Sequence, residues 1–217
     1  MIVICLLTYA RTDYAIRTIR AAQQLTCSEG FAWYVADDGS IPDHFNAVLD
    51  ELRFFGANVI GAKSERVGYG AMANEAWKAA HEFTDLTFWL EDDWELKTPF
   101  DLTSYANLLR DMEQNVGMVR LGYLNLGMQG KVFSHGGSLY WRLERDANPY
   151  VFTGHPSLRS RKFFEAYGEY PTGLKPGDTE LGYAFKYRYG VGPDIVWPAR
   201  LGEASAFGHI GAIQSYD

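Results

Sequence analysis

The hydrophobic positions fall into short continuous blocks separated by polar clusters. Ile2–Leu7 is an unbroken β-prone apolar run, the pattern of a parallel strand covered on both faces. A polar loop, Thr8-Tyr9-Ala10-Arg11-Thr12-Asp13, follows, and Tyr14–Leu25 then places Ile16, Ile19, Ala22 and Gln23 near helical spacing until Cys27-Ser28-Glu29-Gly30 breaks it. Phe31–Ala36 predicts a second strand, ending abruptly at Asp37-Asp38-Gly39-Ser40. Phe45–Phe55 is amphipathic and closes at Gly56, which suits a helix C-cap. Ala57–Gly61 predicts a third strand, Gly70–Glu82 an alanine-rich helix, and Thr87–Leu90 a fourth strand running into Glu91-Asp92-Asp93-Trp94.

Strands and helices therefore alternate through the first hundred residues, which predicts βαβ units and a mostly parallel central sheet flanked by helices. Such sheets bind ligands at the carboxyl ends of their strands. The chain places its polar clusters at three of those ends: Thr8–Arg11, Asp37–Ser40 and Glu91–Asp93. Beyond Pro99 the rhythm changes. Leu102–Met112 predicts a helix, Gly117–Leu121 and Ser138–Trp141 strands, Gly127–Gly137 a glycine-rich connection, Phe163–Tyr167 and Leu181–Arg188 short helices, and the stretch after Gly190 loops. No linker separates the halves, so 1–217 reads as one domain, with residues 1–98 as a ligand-binding half and 99–217 as an extension of the same sheet.

Composition narrows the classes. The chain has 217 residues, 47% hydrophobic and 22% charged, enough for a large core, and a net charge of −7, which speaks against nucleic acid and anionic lipid as partners. The acidity is uneven: residues 1–115 carry 9 Lys/Arg against 18 Asp/Glu, and the remainder 11 against 9. The two cysteines, Cys5 and Cys27, show no CxxC or metal-ligand spacing and read as free thiols in a reducing, cytoplasmic setting. Met1–Ala10 is apolar but has no basic start and is shorter than the roughly 20 residues a bilayer span takes, so no integral membrane or export segment is expected.

Glu91-Asp92-Asp93 puts three carboxylates directly after a buried strand. Such crowding raises carboxyl pKa values unless a cation offsets it, and hard divalent ions favour oxygen ligands, so a metal site and a plain acidic turn both account for the run. Asp37-Asp38-Gly39-Ser40 offers a carboxylate to a base N–H or ribose hydroxyl beside a glycine that permits close approach, and is equally a favoured turn sequence.

In order and spacing, Thr8-Tyr9-Ala10-Arg11, Asp37-Asp38-Gly39-Ser40, Gly68–Asn74 and Glu91-Asp92-Asp93 resemble the donor half of GT-A fold glycosyltransferases, family 2 in particular. The segment from Thr153 through Tyr170, with Arg159, Arg161 and Lys162, resembles that family's small-residue loop and following helix. Gly177-Asp178-Thr179-Glu180-Leu181 resembles its "ED-x-D/E-L" helix start. The resemblance spans most of residues 2–190 and implies an α/β GT-A fold with its acceptor half and catalytic base in 99–217.

It also implies roles. Tyr9 matches the aromatic that packs on the donor base, Asp38 the base-binding acid, Asp93 the metal-binding last acid of the DxD-type motif, and Asp178 the general base. Thr8, Arg11, Arg66, Gly70, Asn74 and Asp92 fall in donor-facing stretches, with Arg66 placed to fork onto a diphosphate. His209 matches the late histidine that several GT-A enzymes give to Mn²⁺ or Mg²⁺. Two residues depart from the pattern: Ala10 stands where Asn is usual, and Gly177 where an acid usually precedes the base, which leaves Glu180 as a stand-in for Asp178. Trp94 and Trp141 are expected to stack on a sugar or acceptor, His155 to pack in a turn or to line the acceptor side, His135 to touch an acceptor, and His44 and His81 to lie on helix surfaces.

The implied activity is an inverting, metal-dependent hexosyl transfer from a nucleoside-diphosphate sugar, UDP- or GDP-linked, to an unidentified acceptor hydroxyl. A catalytically decayed nucleotide-sugar-binding module is the non-enzymatic alternative. A sugar-1-phosphate nucleotidyltransferase would want a glycine-rich phosphate loop after the first strand, and Leu7–Arg11 is not glycine-rich.

Overall fold

The computed structural model describes residues 1–123, 128–146, 149–201 and 205–211. The first half follows the alternation of the sequence: β1 (Ile2–Thr8), α1 (Thr12–Ala22), β2 (Leu25–Thr26), β3 (Phe31–Asp37), α2 (Pro42–Phe54), β4 (Val59–Ser64), α3 (Tyr69–His81) and β5 (Leu86–Glu91). The second half contributes β6 (Trp94–Leu96), β7 (Phe100–Asp101), α4 (Thr103–Asp111), β8 (Val116–Arg120), β9 (Gly130–His135), β10 (Ser138–Leu143), β11 (Ser157–Ser160), α5 (Arg161–Tyr167), α6 (Pro176–Tyr189), β12 (Asp194–Pro198) and β13 (Phe207–His209).

Nine strands form one sheet in the order β4-β3-β1-β5-β11-β8-β12-β10-β9. β4, β3, β1 and β5 are mutually parallel, so the loops after them open on one edge. β11 then runs antiparallel between β5 and β8, joining the two halves into a continuous sheet. The glycine-rich connection expected at 127–137 contains β9, within the part of it that is described, and the loops expected after Gly190 contain β12 and β13.

β1 explains why its sequence shows no alternation. Ile2, Ile4 and Leu6 face one apolar layer with Ala15 and Ile19 of α1, Val48 and Leu52 of α2, and α4. Val3, Cys5 and Leu7 face the other, against α3, α5 and α6. A strand buried on both faces reads as a continuous hydrophobic run. Each fully buried leucine or isoleucine side chain contributes about 1.5–3 kcal/mol. In α6, Tyr183 and Tyr187 sit four residues apart on the buried face and Phe185 and Tyr189 on the exposed one, the spacing of a helix and not of a strand.

Two readings of the histidines and one of the tryptophans are corrected. His44 and His81 are buried, because α2 and α3 turn them inward. His44 is held between two threonines, and the His81 ring packs beside Trp77. Trp94 is buried among the rings of Tyr123, His155 and His209, which leaves it no face for a sugar.

Candidate active site

The carboxyl ends of β1, β3, β4 and β5 converge, and α6 approaches them from the second half. At the end of β5, Asp92 is fully buried and spent on its neighbours. Its Oδ2 accepts from the Thr8 hydroxyl (2.9 Å) and the Tyr9 backbone N–H (3.0 Å), and its Oδ1 from Arg11 Nη2. Burial pushes its pKa up to about 6, against the opposing pull of Arg11.

Asp93 is used on one side only. Arg11 Nη1 donates to its Oδ2 (2.7 Å) and His209 Nε2 lies 3.2 Å from the same oxygen, while Oδ1 is buried with no hydrogen-bond partner among the described residues. His209 reaches Asp93 because β13 pairs with β6 and the Ile210 N–H bonds the Asp93 carbonyl (2.8 Å). Arg11 therefore forks across both acids. Burial works against its charge, but Asp92 and Asp93 outweigh that cost and hold its pKa above the ordinary value.

The end of β3 is a scaffold for two loops. Asp37 accepts from the Ser40 backbone N–H (2.9 Å) and from the hydroxyls of Ser40 and Ser64. Ser40 Oγ in turn accepts the Ala10 N–H (2.8 Å), and Ala10 sits at φ +56°, a left-handed conformation that an L-residue other than asparagine or aspartate rarely takes. Asp38 Oδ1 accepts the backbone N–H groups of Val67 (3.0 Å) and Gly68 (2.7 Å), and Oδ2 accepts from Arg66. Gly39 has no room for a side chain: a Cβ there would lie 2.6 Å from the Arg66 nitrogen.

His44 completes this side. The Thr8 hydroxyl gives its proton to Asp92, so His44 Nε2–H must donate to Thr8 Oγ1 (2.8 Å) while Nδ1 accepts from Thr12 (2.9 Å). That network uses a neutral imidazole, and burial lowers the His44 pKa in the same sense, with Asp37 opposing.

Between β1, β5, α3 and α6 lies a cavity of about 110 Å³, lined among others by Tyr9, Arg11, Tyr69, Glu91, Asp92 and Glu180. The Tyr69 hydroxyl donates to Glu91 Oε1 (2.6 Å), and the Gly154 N–H donates to Glu180 Oε1. A Cβ on Gly154 would fall 2.5 Å from Glu91 Oε1 and 2.8 Å from Glu180 Oε1, so the missing side chain lets two carboxylates meet. Burial raises the Glu91 pKa well above the carboxylate range, and the charges of Glu180 and Asp93 add to it. Glu180 is raised by burial too, with the Gly154 N–H, Arg159 and Arg120 opposing.

Asp178 and Glu180 cannot share this cavity. Two residues apart on a helix are about 200° apart around its axis. Glu180 lines the cavity, and Asp178 is exposed on the first turn of α6. Asn74 is turned away from the cleft as well: its amide bonds the Tyr170 backbone at both ends (3.0 and 2.8 Å), tying α3 to the loop before α6. Gly70 packs against the Pro171 carbonyl. His135 pairs with Asp111 (3.0 Å), and Lys63 with Glu75 (2.8 Å) and Glu65 (3.1 Å). Trp141 is partly exposed on β10, near the far edge of the sheet.

Arg120 lies outside every motif of the sequence, whereas Tyr69 falls inside the stretch Gly68–Asn74, and Arg159 inside Thr153–Tyr170, without a role assigned to its side chain. Arg120 and Arg159 are fully buried below the acids, Arg159 bonding Tyr170 Oη and Ser157 Oγ (2.7 Å each) and Arg120 the carbonyls of Tyr150 (2.6 Å) and Val151 (3.0 Å). Arginine is almost never fully buried without partners, so no pattern of hydrophobicity announces it.

Among the described residues no three histidine, cysteine or carboxylate side chains form a metal cage. The buried Asp93 Oδ1, without a hydrogen-bond partner among the described residues, lies on the same carboxylate that His209 approaches, and an oxygen and an imidazole nitrogen are donor types that divalent ions accept.

This architecture is the GT-A fold of nucleotide-sugar glycosyltransferases. Solved structures that share it include GalNAc-T7 with UDP, GalNAc and Mn²⁺ (TM-score 0.69, 15% identity, 100% of this chain and 45% of that one). S. aureus TarS 1–349 with UDP-GlcNAc superposes at 0.65 with 13% identity, over 98% of this chain and 61% of that one. The mannosyltransferase PcManGT from Pyrobaculum calidifontis, with GDP-Man and Mn²⁺, superposes at 0.60 with 14% identity, over 93% and 58%. The chain thus spans less than two thirds of each of these proteins, and at these identities the likeness is one of fold. No protein-family model and no curated protein matches its sequence.

Proposed function

We propose that this chain transfers a hexosyl group from a UDP- or GDP-linked sugar to an acceptor hydroxyl, with inversion and with Mn²⁺ or Mg²⁺ bound. The observation that carries the reading is the meeting of an orphaned acid oxygen, Asp93 Oδ1, and a cavity-facing carboxylate, Glu180, at one edge of the sheet. The neighbours of the same fold hold UDP, UDP-GlcNAc or GDP-Man, two of them with Mn²⁺, which supports the donor class and the metal.

Asp93 and His209 would hold the ion, which on binding offsets charge on the leaving diphosphate. Tyr9 and the loop pinned by Asp38 would take the nucleoside. Glu180 is the base: the acceptor oxygen bonds to the anomeric carbon, its proton passes to the Glu180 carboxylate, and the sugar–phosphate C–O bond breaks with its electron pair leaving on the diphosphate. Burial that raises the Glu180 pKa makes the carboxylate a better proton acceptor. Asp178, the residue that the motif match assigns to this role, is the competing choice.

The test is release of nucleoside diphosphate from a panel of UDP- and GDP-sugars with Mn²⁺. Turnover that is lost in Asp93→Ala supports the reading, and nucleotide binding without turnover of any donor would favour the decayed module. Glu180→Gln is expected to lower kcat by about 10²–10⁴-fold while Asp178→Asn stays within a fewfold. The reverse ranking would return the base to Asp178.

A further inference from the structure

Arg11 stands where a cation on the acid pair would stand. Its fork bridges Asp92 Oδ1 and Asp93 Oδ2, its side chain is 19% exposed, and Gly211 closes over the pair so tightly that a Cβ there would lie 2.5 Å from Asp93 Oδ2 and 3.1 Å from Arg11 Nη1. The bend that sends Arg11 back over the acids is the left-handed Ala10, held by its bond to Ser40. Strained backbone of this kind persists where the surroundings over-determine it, and it clusters at ligand clamps and switches. Two further atoms are left without partners in this cluster: Asp93 Oδ1 and Arg11 Nε, both buried.

We infer that Arg11 is an exchangeable internal counter-ion: it neutralises Asp93 until a nucleoside diphosphate arrives with a divalent ion, then gives up that oxygen and forks onto the diphosphate. The inference rests on the donor-binding reading above. Its physical basis is the cost of each half-step. A metal arriving alone must approach a guanidinium already bonded to Asp93, or displace it from that oxygen and leave it with Asp92 as its one remaining carboxylate. Giving up one arm of a largely buried charge pair without a replacement is unfavourable. A diphosphate arriving alone meets Asp92 and Asp93 with Arg11 already committed to both. When both arrive together the metal takes Asp93 and the guanidinium takes a phosphate, for which its planar fork is matched, and no charge is left unpaired. Metal and nucleotide must therefore bind with positive coupling, and by linkage each raises the affinity of the other by the same factor.

The experiment measures Mn²⁺ binding by electron paramagnetic resonance and UDP or GDP binding by calorimetry, each with and without the other ligand, so no turnover is involved. In the unaltered protein each ligand is expected to tighten the other by about tenfold or more. In Arg11→Gln, Mn²⁺ alone is expected to bind at least about tenfold more tightly, nucleotide more weakly, and the coupling to fall towards unity. Arg11→Lys keeps the charge and guards against a variant that fails to fold; a single ammonium cannot bridge both acids, so intermediate coupling is expected. Coupling that survives unchanged in Arg11→Lys and Arg11→Gln, or Mn²⁺ affinity that ignores both substitutions, would overturn the exchange while leaving donor binding intact. Failure of the unaltered protein to bind either nucleotide in any combination would instead overturn the donor-binding reading, and the inference with it.

Discussion

The Arg66 guanidinium lies 4.2 Å from the centroid of the Tyr9 ring, while Arg66 Nη1 donates to Asp38 Oδ2 at 3.1 Å. Residues from the ends of β1, β3 and β4 are thereby clamped into one wall of the cleft. If Tyr9 also carries the donor base, its ring matters and its hydroxyl does not. Tyr9→Phe is expected to keep nucleotide affinity within about twofold, and Tyr9→Ala to weaken it by roughly tenfold or more, the worth of one base–aromatic stack. Calorimetric titration with UDP and GDP reads the difference, and equal losses in the two variants would refute the stack.

Ala10 offers a test on stability alone. Its φ of +56° costs an alanine about 1–2 kcal/mol relative to a right-handed conformation, and glycine is spared that cost. Ala10→Gly is expected to raise stability by about 0.5–1 kcal/mol after the entropy that glycine loses is deducted. Ala10→Val, with a branched Cβ, is expected to lower it by more than that. Urea unfolding midpoints of the three proteins decide the order.

Glu91 illustrates a carboxylate kept at the expense of stability. Its folded pKa is raised by burial and by Glu180, so folding favours its protonated form, and the penalty sets in above the ordinary carboxylate value and grows as the pH rises towards the folded one. Glu91→Gln retains an acceptor for the Tyr69 hydroxyl and removes the charge. The variant is expected to gain about 1–3 kcal/mol at pH 8 and progressively less as the pH falls towards the value at which Glu91 of the unfolded chain takes up its proton. Thermal unfolding at pH 8 and pH 5 measures both ends. A gain that does not shrink towards pH 5 would refute the assignment.

His44 predicts the opposite slope. Its folded pKa lies below the ordinary 6.5, so beneath that value the unfolded chain binds the proton first and stability falls with the pH. The loss is at most about 1.4 kcal/mol per pH unit for one group. His44→Gln is expected to lose less between pH 6.5 and pH 5 than the unaltered protein, in urea titrations at each pH. Parallel curves would show that His44 takes up its proton in the native state.

Where a residue's fate is decided by its immediate neighbours along the chain, the sequence made it readable. The runs at residues 2–7, 31–36 and 87–90 became β1, β3 and β5, and three acidic or polar strand ends landed on one edge because parallel strands share a direction. Ser157–Ser160 falls in the loop that the resemblance implies, yet it forms a central strand, since Ser157, Arg159 and Ser160 conceal a buried position that partners such as Tyr170, Trp89 and Thr153 make tolerable. Glu180 and Asp178 were both visible as acids, but which of them faces inward is fixed by the rotation of α6 against Gly154, a partner outside the helix. His44, Trp94 and Asn74 likewise owe their positions to contacts far along the chain, which periodicity does not record.

The placement of β11 has a consequence for how the molecule is made. β5 carries the acid run, yet its second neighbour is supplied by Ser157–Ser160. As the chain leaves the ribosome, the four parallel strands are complete while the flank of β5 still presents bare amide and carbonyl groups. An exposed strand edge of this kind is a template for wrong pairing. Pairing with β11 removes that template, so the strand that leads into the acids keeps one flank open until residue 160 has been made.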